Sequence, residues 1–191
     1  QGQLLGEYGP DGTALREYVW LQDMPVAVVE GSPASPLIYY LQTDHLNTPR
    51  LVTNQTNQAV WEWKTDTFGA GAANENPGGL GIFSFNLRFP GQYYDAETGL
   101  HYNYFRDYDP TIGRYEQSDP IGLRGGLNTY GYAHGSPIQY SDPFGLDTYL
   151  CRRPLDGFGG IAFWRLHHEY LCTCDDRTGA ITCGGLGPTG G

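Results

Sequence analysis

The sequence predicts a mainly β fold of antiparallel hairpins, and three observations carry that prediction. Glycine (28 residues) and proline (13) punctuate the chain at short intervals. Between them stand 15 Tyr, 8 Phe and 4 Trp, enough ring surface for a core in spite of the turn-rich composition. Apolar residues alternate with polar ones, the period of a half-buried strand and not of a helix.

The elements follow in order. "YYLQTDHLNTPRLVT" (39–53) and "QAVWEWKTDTFG" (58–69) each alternate aromatic or β-branched residues with polar ones, as strands do. "NQTN" (54–57) between them reads as a hairpin turn, because Asn tolerates positive φ. Residues 70–81, "AGAANENPGGLG", are small, polar and glycine-rich, and a mobile loop is expected there. A repeat comes next. Tyr94, Asp95 and Gly99 recur fourteen residues later as Tyr108, Asp109 and Gly113. In each copy Asp opens a turn, Gly supplies positive φ, and the flanking Tyr packs across the hairpin. "GPDGTALREYVW" (9–20) is a looser copy. One such hairpin cannot bury both faces, so the units must stack into a continuous, twisted antiparallel sheet.

Charge narrows the function classes. The 191 residues carry a formal net charge of −10 and an isoelectric point near 4.7. A nucleic-acid binder shows a basic face and a membrane-surface helix shows clustered Lys and Arg; this chain shows neither. No run reaches the ~18 apolar residues of a membrane span. The N-terminus has no basic region followed by an apolar stretch and opens on Gln1 in mid-pattern, so it is read as the interior of a longer protein.

One pentapeptide occurs twice: Asp119-Pro120-Ile121-Gly122-Leu123 and Asp142-Pro143-Phe144-Gly145-Leu146. Asp-Pro starts turns and Gly ends them, so two similar turns account for the repeat. Two acids that must meet account for it as well. Carboxylates held close together share a proton, and one then serves as general base while the other serves as general acid. The residues alone leave both readings open.

Four motifs resemble the C-terminal core of RHS and YD-repeat proteins: "DHLNTPRLVT", "NLRFPGQYYDAETGLHYNYFRDYDPTIGRY", "SDPIGLRGGLNTYGY" and "SPIQYSDPFGL". The resemblance covers residues 37–146, with 1–36 similar to a preceding repeat. It implies the end of a hollow β-shell that encloses a toxic C-terminal segment, as in polymorphic toxins, type VI effectors and insecticidal Tc complexes. It also implies an intramolecular aspartyl protease. Carried onto this chain, Asp119 and Asp142 are catalytic, the scissile bond is Leu146–Asp147, and Arg114 or Arg124 is a candidate to orient a carboxylate. No cofactor is implied. The implied partners are the rest of the shell, the chain's own C-terminal segment, a secretion machinery and a cognate immunity protein. Such a chain is made in a bacterial cytoplasm and delivered to target cells.

Residues 147–191 hold the toxin position as a small, irregular, cysteine-containing segment. All four cysteines, Cys151, Cys172, Cys174 and Cys183, fall there, the clearest break in composition along the chain. They allow two disulfides in three pairings. Alternatively Cys172, Cys174 and Cys183 bind a metal with one of Cys151, His167 or His168, although Cys-x-Cys is tighter than common zinc spacings. No toxin class is recognisable in the segment, and an unidentified hydrolase there is an alternative. A purely structural YD-repeat module without chemistry is the other. His45 and His101 are read as hydrogen-bonding turn or strand residues, and Trp61 and Trp63 as core or shell lining.

Overall fold

A computed structural model describes residues 3–146 together with the backbones of three later strands; the side chain of Arg124 and those of the later strands lie outside the description. Six strands, β1 (Gly6–Tyr8), β2 (Ala14–Leu21), β3 (Met24–Ser32), β4 (Ser35–Thr43), β5 (Pro49–Thr53) and β6 (Ala59–Glu62), form an antiparallel meander in sequence order. Alternation sets its faces: on β2, Arg16, Tyr18 and Trp20 turn inward while Leu15, Glu17, Val19 and Leu21 are exposed. The "NQTN" turn forms as expected. Asn57 adopts φ 61°, and Asn54 Oδ1 accepts from the backbone N–H groups of Thr56 and Gln58.

A second meander holds β7 (Tyr93–Tyr94), β8 (His101–Asn103), β9 (Arg106–Asp109) and β10 (Arg114–Tyr115). The fourteen-residue repeat builds its turns. Asp95 and Asp109 each accept a backbone N–H two residues on, at 2.9 Å and 2.8 Å, and Gly99 and Gly113 close the turns at φ 75° and 67°.

The expected continuous sheet is therefore two sheets. Pro77, Gly78, Gly79 and Gly81 interrupt the ladder, since proline lacks a donor and glycine favours no extended state. The 70–81 loop is irregular, yet its backbone is tied down by the Glu62–Asn74 bridge and by Phe83 N–H to Glu75 O (2.8 Å). After it, Phe83, Phe85, Leu87 and Phe89 alternate inward. Phe83 meets Tyr39 (4.5 Å between centroids) and Phe85 meets Trp61 (5.0 Å) on the first sheet. Phe89 meets Tyr132 (5.6 Å) and Tyr108 (6.5 Å) beside the second. Each buried ring contributes about 2 kcal/mol, so this row joins the sheets. Trp61 and Trp63 lie inside the core, as the sequence suggests.

The later strands, β11 (Tyr149–Pro154), β12 (His167–Cys174) and β13 (Ile181–Gly184), form a third antiparallel meander whose register sets Cys172 opposite Cys183. No helix among the described residues is long and apolar enough to cross a membrane.

Candidate active site

The inner face of the second sheet supplies the site's floor. Period-two alternation turns His101 and Asn103 of β8, Arg106 and Tyr108 of β9, and Tyr115 of β10 to the same buried side. Arg106 is only 2% exposed. A cation so deeply buried requires acidic partners.

The two Asp-Pro-x-Gly-Leu units supply those partners, and both are turns. The Gly122 N–H donates to Asp119 O, and the Gly145 N–H to Asp142 O, with φ of 63° and 65° at the two glycines. In each unit one carboxylate oxygen accepts from the unit's own backbone. Asp119 Oδ1 takes the Ile121 N–H (2.9 Å), and Asp142 Oδ1 takes the Leu146 N–H (3.0 Å). The second unit is wedged against the sheet: a Cβ on Gly91 would stand 1.9 Å from the Pro143 carbonyl oxygen, and one on Gly145 would stand 2.4 Å from that of Asn103.

The remaining oxygens converge. Arg106 Nη2 lies 3.0 Å from Asp119 Oδ2 and 3.2 Å from Asp142 Oδ2, and both acids are buried. Arg106 Nε donates to Gly145 O, and Nη1 donates to Thr129 O (3.1 Å). The guanidinium also lies over the Tyr115 ring, 3.7 Å from its centroid. Tyr115 OH donates to Asp142 Oδ2 (2.8 Å), while Asn103 Nδ2 donates both to Tyr115 OH (2.7 Å) and to Asp142 O (2.8 Å). Burial first, then the charge of Asp142, push the Tyr115 hydroxyl well above its ordinary range.

Of the residues singled out in the sequence, Asp119, Asp142 and Leu146 thus come together. Arg114 is exposed on β10. The Arg124 side chain, Asp147, and the side chains of Cys151, Cys172, Cys174, Cys183, His167 and His168 lie outside the described residues. His45 Nε2 meets Ile138 O (2.9 Å), and His101 Nδ1 meets Gln92 Oε1 (2.8 Å), the structural roles expected of both. Burial, then the charge of Arg88, lower the His101 pKa to about 3. Sequence reasoning missed Arg106, Tyr115 and Asn103. A signal for Arg106 was present: it shares strand parity with Tyr108, and a charged residue at an inward position asks for a partner.

Residues 33–137 match the family model described as the teneurin YD-shell. Double-stranded DNA deaminase toxin A of Burkholderia cenocepacia is 36% identical over 143 residues, which cover 73% of this chain and 10% of that protein. Toxin protein Tse5 of Pseudomonas aeruginosa is 43% identical over 109 residues, covering 57% of this chain and 8% of that protein. The crystal structure of TcdB2-TccC3 without its hypervariable C-terminal region shares the fold, with a TM-score of 0.53 and 24% identity over 70% of this chain and 7% of that one. The chain thus spans about a tenth or less of the length of each. With more than half of its residues matched by that model, and with the turn and strand repeats described above, this chain belongs to the YD-shell family of RHS and YD-repeat proteins.

Proposed function

We propose that this chain is the closing, self-cleaving part of a bacterial YD-shell that carries a toxic C-terminal segment, and that Asp119 and Asp142 hydrolyse the Leu146–Asp147 peptide bond. One observation carries the reading: two buried carboxylates share a single nitrogen of Arg106, whose Nε holds the Gly145 carbonyl one residue before the scissile bond. One acid takes a proton from water as its oxygen attacks the Leu146 carbonyl carbon. The other gives a proton to the Asp147 nitrogen as the C–N bond breaks, leaving a Leu146 carboxylate and a free Asp147 amine. Attack within one chain avoids the entropy cost of capturing a substrate. The toxin names of the relatives support a toxic cargo here; the shell partners, delivery machinery and immunity protein belong to the same proposal.

A second reading has an observation of its own. Each acid also closes its own turn through Oδ1, and a buried Arg–Asp–Asp cluster locks three chain segments together without any chemistry. Intact mass against time, for the chain in its full polypeptide and for Asp119→Asn and Asp142→Asn, separates the two. Asn keeps the Oδ1 acceptor and the turn but cannot exchange the proton. A break after Leu146 that both substitutions abolish supports cleavage. An unbroken wild-type chain leaves the structural lock.

A further inference from the structure

The two Asp-Pro-x-Gly-Leu units are near copies, yet the proposed cleavage follows only the second. Their surroundings differ. The two-residue turn Tyr104-Phe105 between β8 and β9, with the strand ends beside it, takes hold of the second unit. Asn103 Nδ2 donates to Asp142 O (2.8 Å), the Phe105 N–H donates to Phe144 O (3.4 Å), and Arg106 Nε donates to Gly145 O. The Tyr104 ring meets the Phe144 ring edge-on, with centroids 5.5 Å apart and planes at 68°. A Cβ on Gly145 would run into the Asn103 carbonyl, so the seat takes glycine there. Tyr104 holds this place at φ 57°, a left-handed backbone that bulky residues rarely adopt. In the first unit the peptide bond equivalent to the scissile one, Leu123–Arg124, is wound inside the short 3-10 turn Gly122–Gly125. The Leu123 side chain is 73% exposed, and a Cβ on Gly122 would meet nothing within 4 Å.

We infer that the β8–β9 turn is the specificity element of the proposed cleavage, with Tyr104 as its side-chain contact: it docks Phe144 and Gly145 so that the bond after Leu146 is cut and the equivalent bond after Leu123 is not. Hydrolysis needs a carbonyl held in place against its acid and base. The Phe105 N–H and Arg106 Nε fix two successive carbonyls of the second unit, which places its backbone without reading its sequence. Selection by side chain falls to two positions: a ring at 144, which Tyr104 meets, and a glycine at 145, which lets the chain lie against Asn103. The first unit carries Ile121 where the second carries Phe144. The inference rests on the cleavage reading and names what chooses the bond within it.

The test is a double-mutant cycle on the cleavage rate, taken on the full polypeptide made by cell-free synthesis, with the break located by the mass of the released C-terminal fragment. Tyr104→Asn keeps a residue that tolerates the left-handed turn and removes the ring; Phe144→Ala removes its partner. Each is expected to slow cleavage about tenfold, and the double variant no further, because both remove one contact. Tyr104→Phe restores most of the rate. Exchanging the two side chains, Ile121→Phe with Phe144→Ile, tests placement directly and serves if Tyr104→Asn folds poorly: the break stays after Leu146 and slows. Single variants that cleave at the wild-type rate, losses that multiply to about a hundredfold in the double variant, or a break that moves to Leu123 in the exchanged chain each overturn the inference while leaving cleavage intact. A wild-type chain that stays whole, or Asp142→Asn cutting at the wild-type rate, sinks the cleavage reading itself and the inference with it.

Discussion

Asp119 and Asp142 stand 23 residues apart in the chain, yet their Oδ2 atoms lie 3.0 Å and 3.2 Å from one nitrogen of Arg106. A buried guanidinium between two buried aspartates ties β9 to both turns. Its worth shows when it is removed, because isolated buried charges are costly.

Arg106→Met leaves two carboxylates without their cation in the interior. The expected loss at neutral pH is about 3–5 kcal/mol of folding stability, read from urea denaturation. Arg106→Lys recovers only part of it, because an ammonium cannot reproduce the fork that reaches both acids, Gly145 O and Thr129 O. A loss below about 1 kcal/mol for Met shows that the acids are held by other groups.

Gly91 is the seat of the second unit. Gly91→Ala pushes a methyl group into the Pro143 carbonyl at φ 83°, and about 2–4 kcal/mol of destabilisation is expected, together with displacement of the Asp142 turn. Gly99→Ala is the matched control: φ is 75°, but nothing lies within 4 Å, so only the backbone cost of about 1 kcal/mol remains. Equal melting temperatures for the two variants contradict this account.

His101 makes the fold acid-sensitive. It stays neutral in the folded state down to about pH 3, whereas in the unfolded chain it takes up a proton near its ordinary 6.5. Below pH 6.5 the unfolded state binds more protons, so stability falls as pH drops, by about 4 kcal/mol at pH 3. His101→Gln removes this contribution. Stability curves for wild type and variant should therefore converge as pH falls from 7 to 4, and parallel curves refute the assignment.

Phe89 couples the sheets. Phe89→Ala removes a ring packed against Trp63 (5.4 Å) and Tyr132 (5.6 Å), with an expected cost of about 3–5 kcal/mol by thermal or chemical unfolding. Tyr102→Ala, on the outer face of the second sheet and 52% exposed, should cost under about 1 kcal/mol. Similar losses for both place the join between the sheets elsewhere.

Much of the fold was legible because turns and strand faces are local properties. Asp95/Gly99 and Asp109/Gly113 open and close turns within five residues, and the alternation around Trp61 and Trp63 reports a buried face at once. How the two sheets join was harder to see. It depends on where the Phe83–Phe89 row lands, and no short window of sequence contains both of its partners.

By itself the sequence determined the strand periodicity and the left-handed glycines of the two Asp-Pro-x-Gly-Leu units, both of which follow from neighbours a few residues away. Tertiary structure alone decided that those acids meet on Arg106 and not beside Arg114, and that Tyr115 and Asn103 serve Asp142. Parity along a strand says which side chains point inward; which inward cation reaches which acid depends on how two turns and a sheet pack, a long-range outcome that alternation does not encode.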